Sequence, residues 1–153
     1  MRRLFHPFQS KLAKIPVGKL LVFGALQDGE RAFGAEDLRQ IDLSFQVLDV
    51  SNYKSGYLGR AVRLAGLLEA CAPQSGPLYL NAASRDGRKV LSFWRAEVEP
   101  LGWIVYEPEQ RALAGVEPGP FQLVLPGFHG ARESIRDLAL IEIGSSAEPE
   151  RFG

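Results

Sequence analysis

The apolar residues of this chain come in short runs, and almost every run is closed within a few residues by Asp-Gly, Pro-Gly or Pro. Val17–Ala25 is followed by Asp28-Gly29, Leu78–Ala82 by Asp86-Gly87, and Phe121–Leu125 by Pro126-Gly127. Such punctuation sets the length of a buried element at strand scale and marks hairpins wherever Asp-Gly follows an apolar run. A doubly wound sheet needs a long helix between most strands, and helical periodicity of that length is missing. The reading is a strand-rich α+β domain.

The elements follow in order. Val17–Ala25 is a strand, and Arg31-Ala32-Phe33 is its short return. Glu36–Ile41 is a helix of one to two turns after Gly34. Leu43–Val50 alternates Leu43, Phe45 and Val47 on one side, which is strand periodicity. Ser51–Gly59 is a polar loop carrying Asn52, Tyr53, Lys54 and Tyr57. Leu64, Leu67, Leu68 and Cys71 recur at helical spacing, so Val62–Ala72 carries a short amphipathic helix that Pro73 stops. Leu78–Ala82 and Val90–Trp94 are strands joined through Arg85-Asp86-Gly87-Arg88. Trp103–Glu107 is a strand, 108–120 is turn-rich, Phe121–Leu125 is a strand, and Leu138–Ile143 is the last. Residues 1–15 and 145–153 are expected to be flexible, around one domain spanning 1–153.

Composition excludes several function classes. Lys+Arg and Asp+Glu are each 18, so the net charge is zero and no basic surface calls for nucleic acid or an acidic membrane. Near-zero net charge leaves self-association open, so a homo-oligomer is an expected partner class. The basic start, Arg2-Arg3, has no apolar h-region behind it, because Lys11, Lys14 and Lys19 interrupt each run. It does not read as a secretory or twin-arginine signal, and no apolar run approaches the ~20 residues of a membrane span. The expectation is a cytoplasmic protein.

The chemistry-bearing motifs are few. There is no Gly-x-Gly-x-x-Gly, no Walker loop, no His-Glu-x-x-His and no Gly-x-Ser-x-Gly. With His6 and His129 the only histidines and Cys71 the only thiol, a zinc site has too few ligands. Cys71 shares the apolar face of its helix with Leu64, Leu67 and Leu68, and is expected to be a small buried hydrophobe. Trp94 and Trp103 fall in strands and read as core. Tyr53 and Tyr57, in a Gly/Ser loop, read either as surface or as site residues.

Three stretches together resemble the oxidoreductase molybdopterin-binding domain of the sulfite oxidase family. They are Ala61-Val62-Arg63-Leu64-Ala65-Gly66-Leu67-Leu68-Glu69-Ala70; Asn81 to Ser92, through Arg85-Asp86-Gly87-Arg88; and Gly119 to Gly127 with Gly130-Ala131-Arg132, Ser134-Ile135-Arg136 and Leu140-Ile141-Glu142-Ile143. The resemblance implies a mixed β-sheet with short helices. It implies cofactor-side loops at Ser51–Tyr57 and His129–Arg136, lying at one end of the sheet. The residues it singles out for ligand binding are Asn52, Lys54, Tyr57, His129, Arg132, Ser134 and Arg136. Arginine, lysine and histidine donors suit an anionic or pterin-type small molecule, since guanidinium groups pair with phosphate oxygens in a fixed fork. The bland alternative is a solvated loop whose arginines pair with Glu133 and Asp137.

The departure from the family is chemical. Its metal is held by a cysteine thiolate in the loop before the short helix, a soft ligand suited to molybdenum. Here that loop reads Leu48-Asp49-Val50-Ser51-Asn52-Tyr53-Lys54-Ser55-Gly56-Tyr57. No metal ligand is expected. The resemblance therefore implies a non-catalytic or altered ligand-binding module, with an active molybdopterin-dependent oxidoreductase of unusual ligand set as the alternative.

Overall fold

The computed structural model describes residues 6–52, 59–77, 79–107 and 121–144. Its elements are α1 (His6–Leu12), β1 (Leu20–Gly24), β2 (Arg31–Phe33), α2 (Ala35–Arg39), β3 (Gln46–Val47), β4 (Arg60–Arg63), α3 (Leu64–Cys71), β5 (Tyr79–Ser84), β6 (Val90–Trp94), α4 (Arg95–Val98), β7 (Trp103–Glu107), β8 (Gln122–Val124), β9 (Ser134–Arg136) and β10 (Leu138–Gly144). The strands form two five-stranded sheets, ordered β2-β1-β10-β5-β6 and β3-β4-β7-β8-β9. The strand-rich α+β fold with short helices is the one expected from the sequence.

The first sheet is mixed. β1 pairs in parallel with β10, Leu21 opposite Leu140 and Ile143 opposite Gly24, whereas β2, β5 and β6 pair antiparallel with their neighbours. The alternation of side chains splits its two faces. Leu20, Val22, Leu80, Ala82, Phe93, Ile141 and Ile143 point into the main core. Leu21, Ala83 and Leu140 point the other way, where Phe8 and Leu12 of α1 cover them. Residues 6–12 fall within the start that the sequence marks as flexible. They form a helix because Phe8 and Leu12 have an apolar face to bury against.

The second sheet gives Val62, Ile104, Tyr106, Leu123 and Ile135 to the same main core, with Leu64, Leu67, Leu68 and Cys71 of α3. Its other face carries Val47, Ala61, Trp103, Val105 and Val124. The chain leaves this sheet at Arg136 and joins the first at Leu138, so Asp137 is the crossover between them. Asp137 adopts a left-handed backbone, φ 50°, and its carbonyl accepts the Arg85 N–H at 2.8 Å. The next amide, Leu138 N–H, donates to the Phe121 carbonyl at 2.9 Å.

Three expectations need correction. Leu43–Val50 is not one strand: Leu43–Phe45 is a 3-10 turn and only Gln46–Val47 pairs. The Asp42 carboxylate accepts the Ser44 N–H at 2.9 Å and so offers the backbone a turn in place of a ladder. The helix expected from Val62 begins at Leu64, because Arg60–Arg63 pairs with β7. Ser134–Arg136 is a strand, not loop, paired antiparallel with β8. The turn-rich segment expected at 108–120 lies outside the described residues.

Candidate functional site

The register of the second sheet decides which expected residues can meet. One cross-strand row runs Ala61–Val105–Gln122–Arg136, and another, at the far end, runs Arg63–Trp103–Val124–Ser134. The segment ending at Asn52 returns at Gly59 beside the start of β4, with Val50 N–H donating to the Gly59 carbonyl at 2.9 Å. It therefore enters at the Arg136 end. The loop through His129 and Arg132 enters at the start of β9, which is the Ser134 end. The described edges of the two loops belong to opposite ends of the sheet, and residues 53–58 of the first loop, on which the expectation of one shared end bears, lie outside the described residues. Lys54 and Tyr57 lie outside the described residues, as does Tyr53.

Arg132 and His129 have a local setting. His129 is exposed and precedes the 3-10 turn Gly130–Arg132. The Arg132 guanidinium lies 4.6 Å from the centre of the Phe93 ring and donates to the Ser92 carbonyl at 2.8 Å. It caps an edge carbonyl of β6 and stacks on a core ring, which is a packing role.

Ser134 and Arg136 are two residues apart on a strand and so share a face. They line a cavity of about 340 Å³ with Ser84, Asp86, Arg88 and Lys89 of the β5–β6 hairpin and with Asp137. The second and third family-like stretches of the sequence meet there. Three cations, Arg88, Lys89 and Arg136, face two carboxylates, Asp86 and Asp137. The hairpin builds its half of the cavity from its own turn. The Asp86 carboxylate accepts the Ser84 hydroxyl at 2.7 Å and the Arg88 N–H at 2.9 Å, and the Ser84 hydroxyl accepts the Lys89 N–H at 3.1 Å. The Arg88 N–H and then the Ser84 hydroxyl hold the Asp86 carboxyl below its usual range. Asp137 behaves oppositely. Burial pushes its carboxyl up, Arg85 opposes that, and the Asp86 charge adds to it.

Arg85 is a staple. Its guanidinium donates to the carbonyls of Ile15, Pro16 and Lys19 and stands 4.0 Å from the Asp137 carboxylate. Sequence reasoning missed Ser84, Asp86, Arg88, Lys89 and Asp137 as site residues. The Asp-Gly hairpin signal located the turn, but nothing in the sequence placed it against β9.

A second cavity of about 610 Å³ lies between α3 and α4, lined by Ala65, Pro77, Trp94, Arg95, Glu99 and Pro100, among others. Trp103 is core as expected, but Trp94 is 53% exposed and stacks on Tyr79 with ring centres 4.8 Å apart.

A sulfite-oxidase-type metal does not fit this donor set. Cys71, the one thiol of the whole sequence, is 1% exposed in the main core, where burial pushes it up to about 11. Among the described residues no cluster of three or more His, Cys, Asp or Glu could hold a metal.

The comparisons agree at the level of fold. The solved structure of the sulfane dehydrogenase SoxCD from Paracoccus pantotrophus matches this chain with a TM-score of 0.62 at 19% identity, over 84% of this chain and 38% of that one. The chain thus spans well under half the length of that neighbour, and the likeness is one of fold. No family model matches the sequence. No curated protein matches it either. Among the described residues no helix is long and apolar enough to cross a membrane.

Proposed function

We propose that this chain is a non-catalytic or altered ligand-binding module on the sulfite oxidase fold, and that it takes an anionic small molecule in the cavity between the β5–β6 hairpin and β9. The reading keeps a cytoplasmic setting and keeps Asn52, Lys54 and Tyr57 as candidate ligand contacts. The observation that carries it is the meeting of Ser134 and Arg136 with Arg88 and Lys89 around one opening. Cations gathered in a concave site focus their field on an anion, and arginine adds fork geometry for phosphate oxygens. The hydroxyl of Ser134 offers a neutral donor beside them. Cys71 offers no thiolate, so no oxidation–reduction step is assigned.

The test is anion-dependent thermal stabilisation of the full chain and of the Arg88→Ala/Arg136→Ala double variant. Phosphate at a hundred times its Kd raises the stability of a binding-competent native state by about 2.7 kcal/mol. The parent is expected to show a saturating rise and the double variant to lose it. An equal rise in both would remove the site. Stoichiometric molybdenum in protein made by a host that synthesises the cofactor would overturn the non-catalytic reading.

A further inference from the structure

The anion site just described holds a carboxylate that a simple anion does not need. Asp86 is engaged inside the hairpin, accepting from the Ser84 hydroxyl and the Arg88 amide. Among the described residues Asp137 has no such partner at short range. Its nearest cation, Arg85, stands 4.0 Å away with its N–H groups directed to the carbonyls of Ile15, Pro16 and Lys19. The Asp137 side chain is 42% exposed and borders the cavity beside Arg136. It is also held in place: its carbonyl accepts the Arg85 N–H at 2.8 Å, and its backbone is fixed at φ 50°, a region where few side chains settle. Burial raises its affinity for a proton, Arg85 opposes this, and the neighbouring Asp86 adds to it. A plain phosphate entering here meets three cations but is repelled by this carboxylate. A ligand that brings its own N–H donor turns the repulsion into a charge-assisted hydrogen bond.

Resting on the anion-site reading, we propose that this cavity selects small phosphate monoesters bearing an ammonium or similar N–H donor, with Arg88, Lys89 and Arg136 on the phosphate and Asp137 on the donor. At about 340 Å³ the cavity is at the small end of ligand sites, which favours a compact metabolite-sized ester.

The experiment is calorimetric titration of the full chain with three probes: O-phosphoethanolamine, ethyl phosphate, which keeps the two-carbon ester and lacks the terminal amine, and inorganic phosphate. The parent is expected to bind phosphoethanolamine about tenfold more tightly than ethyl phosphate, the worth of one hydrogen bond to a charged group. Asp137→Asn keeps the size and suits the left-handed backbone. It is expected to abolish the preference, weakening phosphoethanolamine and tightening ethyl phosphate. Equal binding of the two esters by the parent overturns the inference and leaves the anion site standing. A preference that persists in Asp137→Asn also overturns it. If none of the three probes binds the parent, the anion-site reading fails as well. The parent comparison stands even if a variant does not fold.

Discussion

Asp137 shows how a single residue couples backbone and charge. Its folded-state carboxyl is raised, so between the unfolded and folded values the native state holds more protons than the unfolded chain. Stability from this group is therefore full below the unfolded value and is lost as pH climbs through the folded one. Asp86, held low, works in the opposite sense: its contribution is present above the unfolded value and disappears as pH falls through the folded one. Asp137→Asn is accordingly expected to be more stable than the parent at neutral pH. The gap should shrink in acid, where the parent carboxyl is protonated in both states. Urea unfolding at pH 7 and pH 3 checks this; a gap independent of pH would mean the gain is only conformational. Cys71 gives a second prediction at this scale. With its thiol pushed up to about 11 by burial in the core, a thiol reagent should label the native chain hardly at all and the denatured chain stoichiometrically. The two residues differ in legibility. Cys71 could be placed from its spacing with Leu64, Leu67 and Leu68. Asp137 could not, because a left-handed crossover is imposed by the two sheets it joins and leaves no local signal.

Among elements, α3 was the most legible and its start the least. Strand β4 runs straight into it, and the change from period 2 to helical spacing falls inside Arg60–Leu68. The turn is fixed from outside, by Leu64 N–H donating to the Gly102 carbonyl at 2.8 Å. Its end is local: Ala72 takes a left-handed conformation, φ 51°, before Pro73. Gly66 lies mid-helix, where glycine normally costs about 1 kcal/mol against alanine. Its reason is packing. A Cβ there would come within 2.5 Å of the Phe45 ring. Gly66→Ala should therefore destabilise despite the better helix former, since overpacking costs about 1–3 kcal/mol. The expected net loss is about 1 kcal/mol by denaturant midpoint, and Phe45→Leu in the same chain should recover part of it. A stabilised Gly66→Ala would show that Phe45 yields freely. The same ring explains why Leu43, Phe45 and Val47 misled as a strand: Phe45 packs on α3, Val47 joins the far face of the second sheet, and Leu43 is 75% exposed.

At the scale of the molecule, the order of elements was legible and their pairing was not. Nothing in Leu20–Gly24 or Leu138–Gly144 announces that these strands, far apart in sequence, lie side by side in parallel. Two-sheet architecture follows from such long-range pairings, and so does the cavity, because β9 reaches the β5–β6 hairpin only once the chain has crossed at Asp137. The main core takes Leu80, Ile141 and Phe93 from the first sheet and Ile104, Leu123 and Ile135 from the second. Neither sheet can bury those side chains without the other, so the two should unfold together. The tryptophans make this measurable. Trp94 ends β6 in the first sheet and is 53% exposed, whereas Trp103 begins β7 in the second and is 6% exposed. Trp94→Phe leaves emission from Trp103 alone, which should be blue-shifted in the native state, and Trp103→Phe leaves the wetter Trp94. After correction for each variant's stability by circular dichroism, the fluorescence midpoint of each should coincide with its own loss of secondary structure. If Trp94 reported an earlier transition than circular dichroism while Trp103 did not, the first sheet would be opening on a second sheet that holds its fold alone. The shared core would then be an interface between two units.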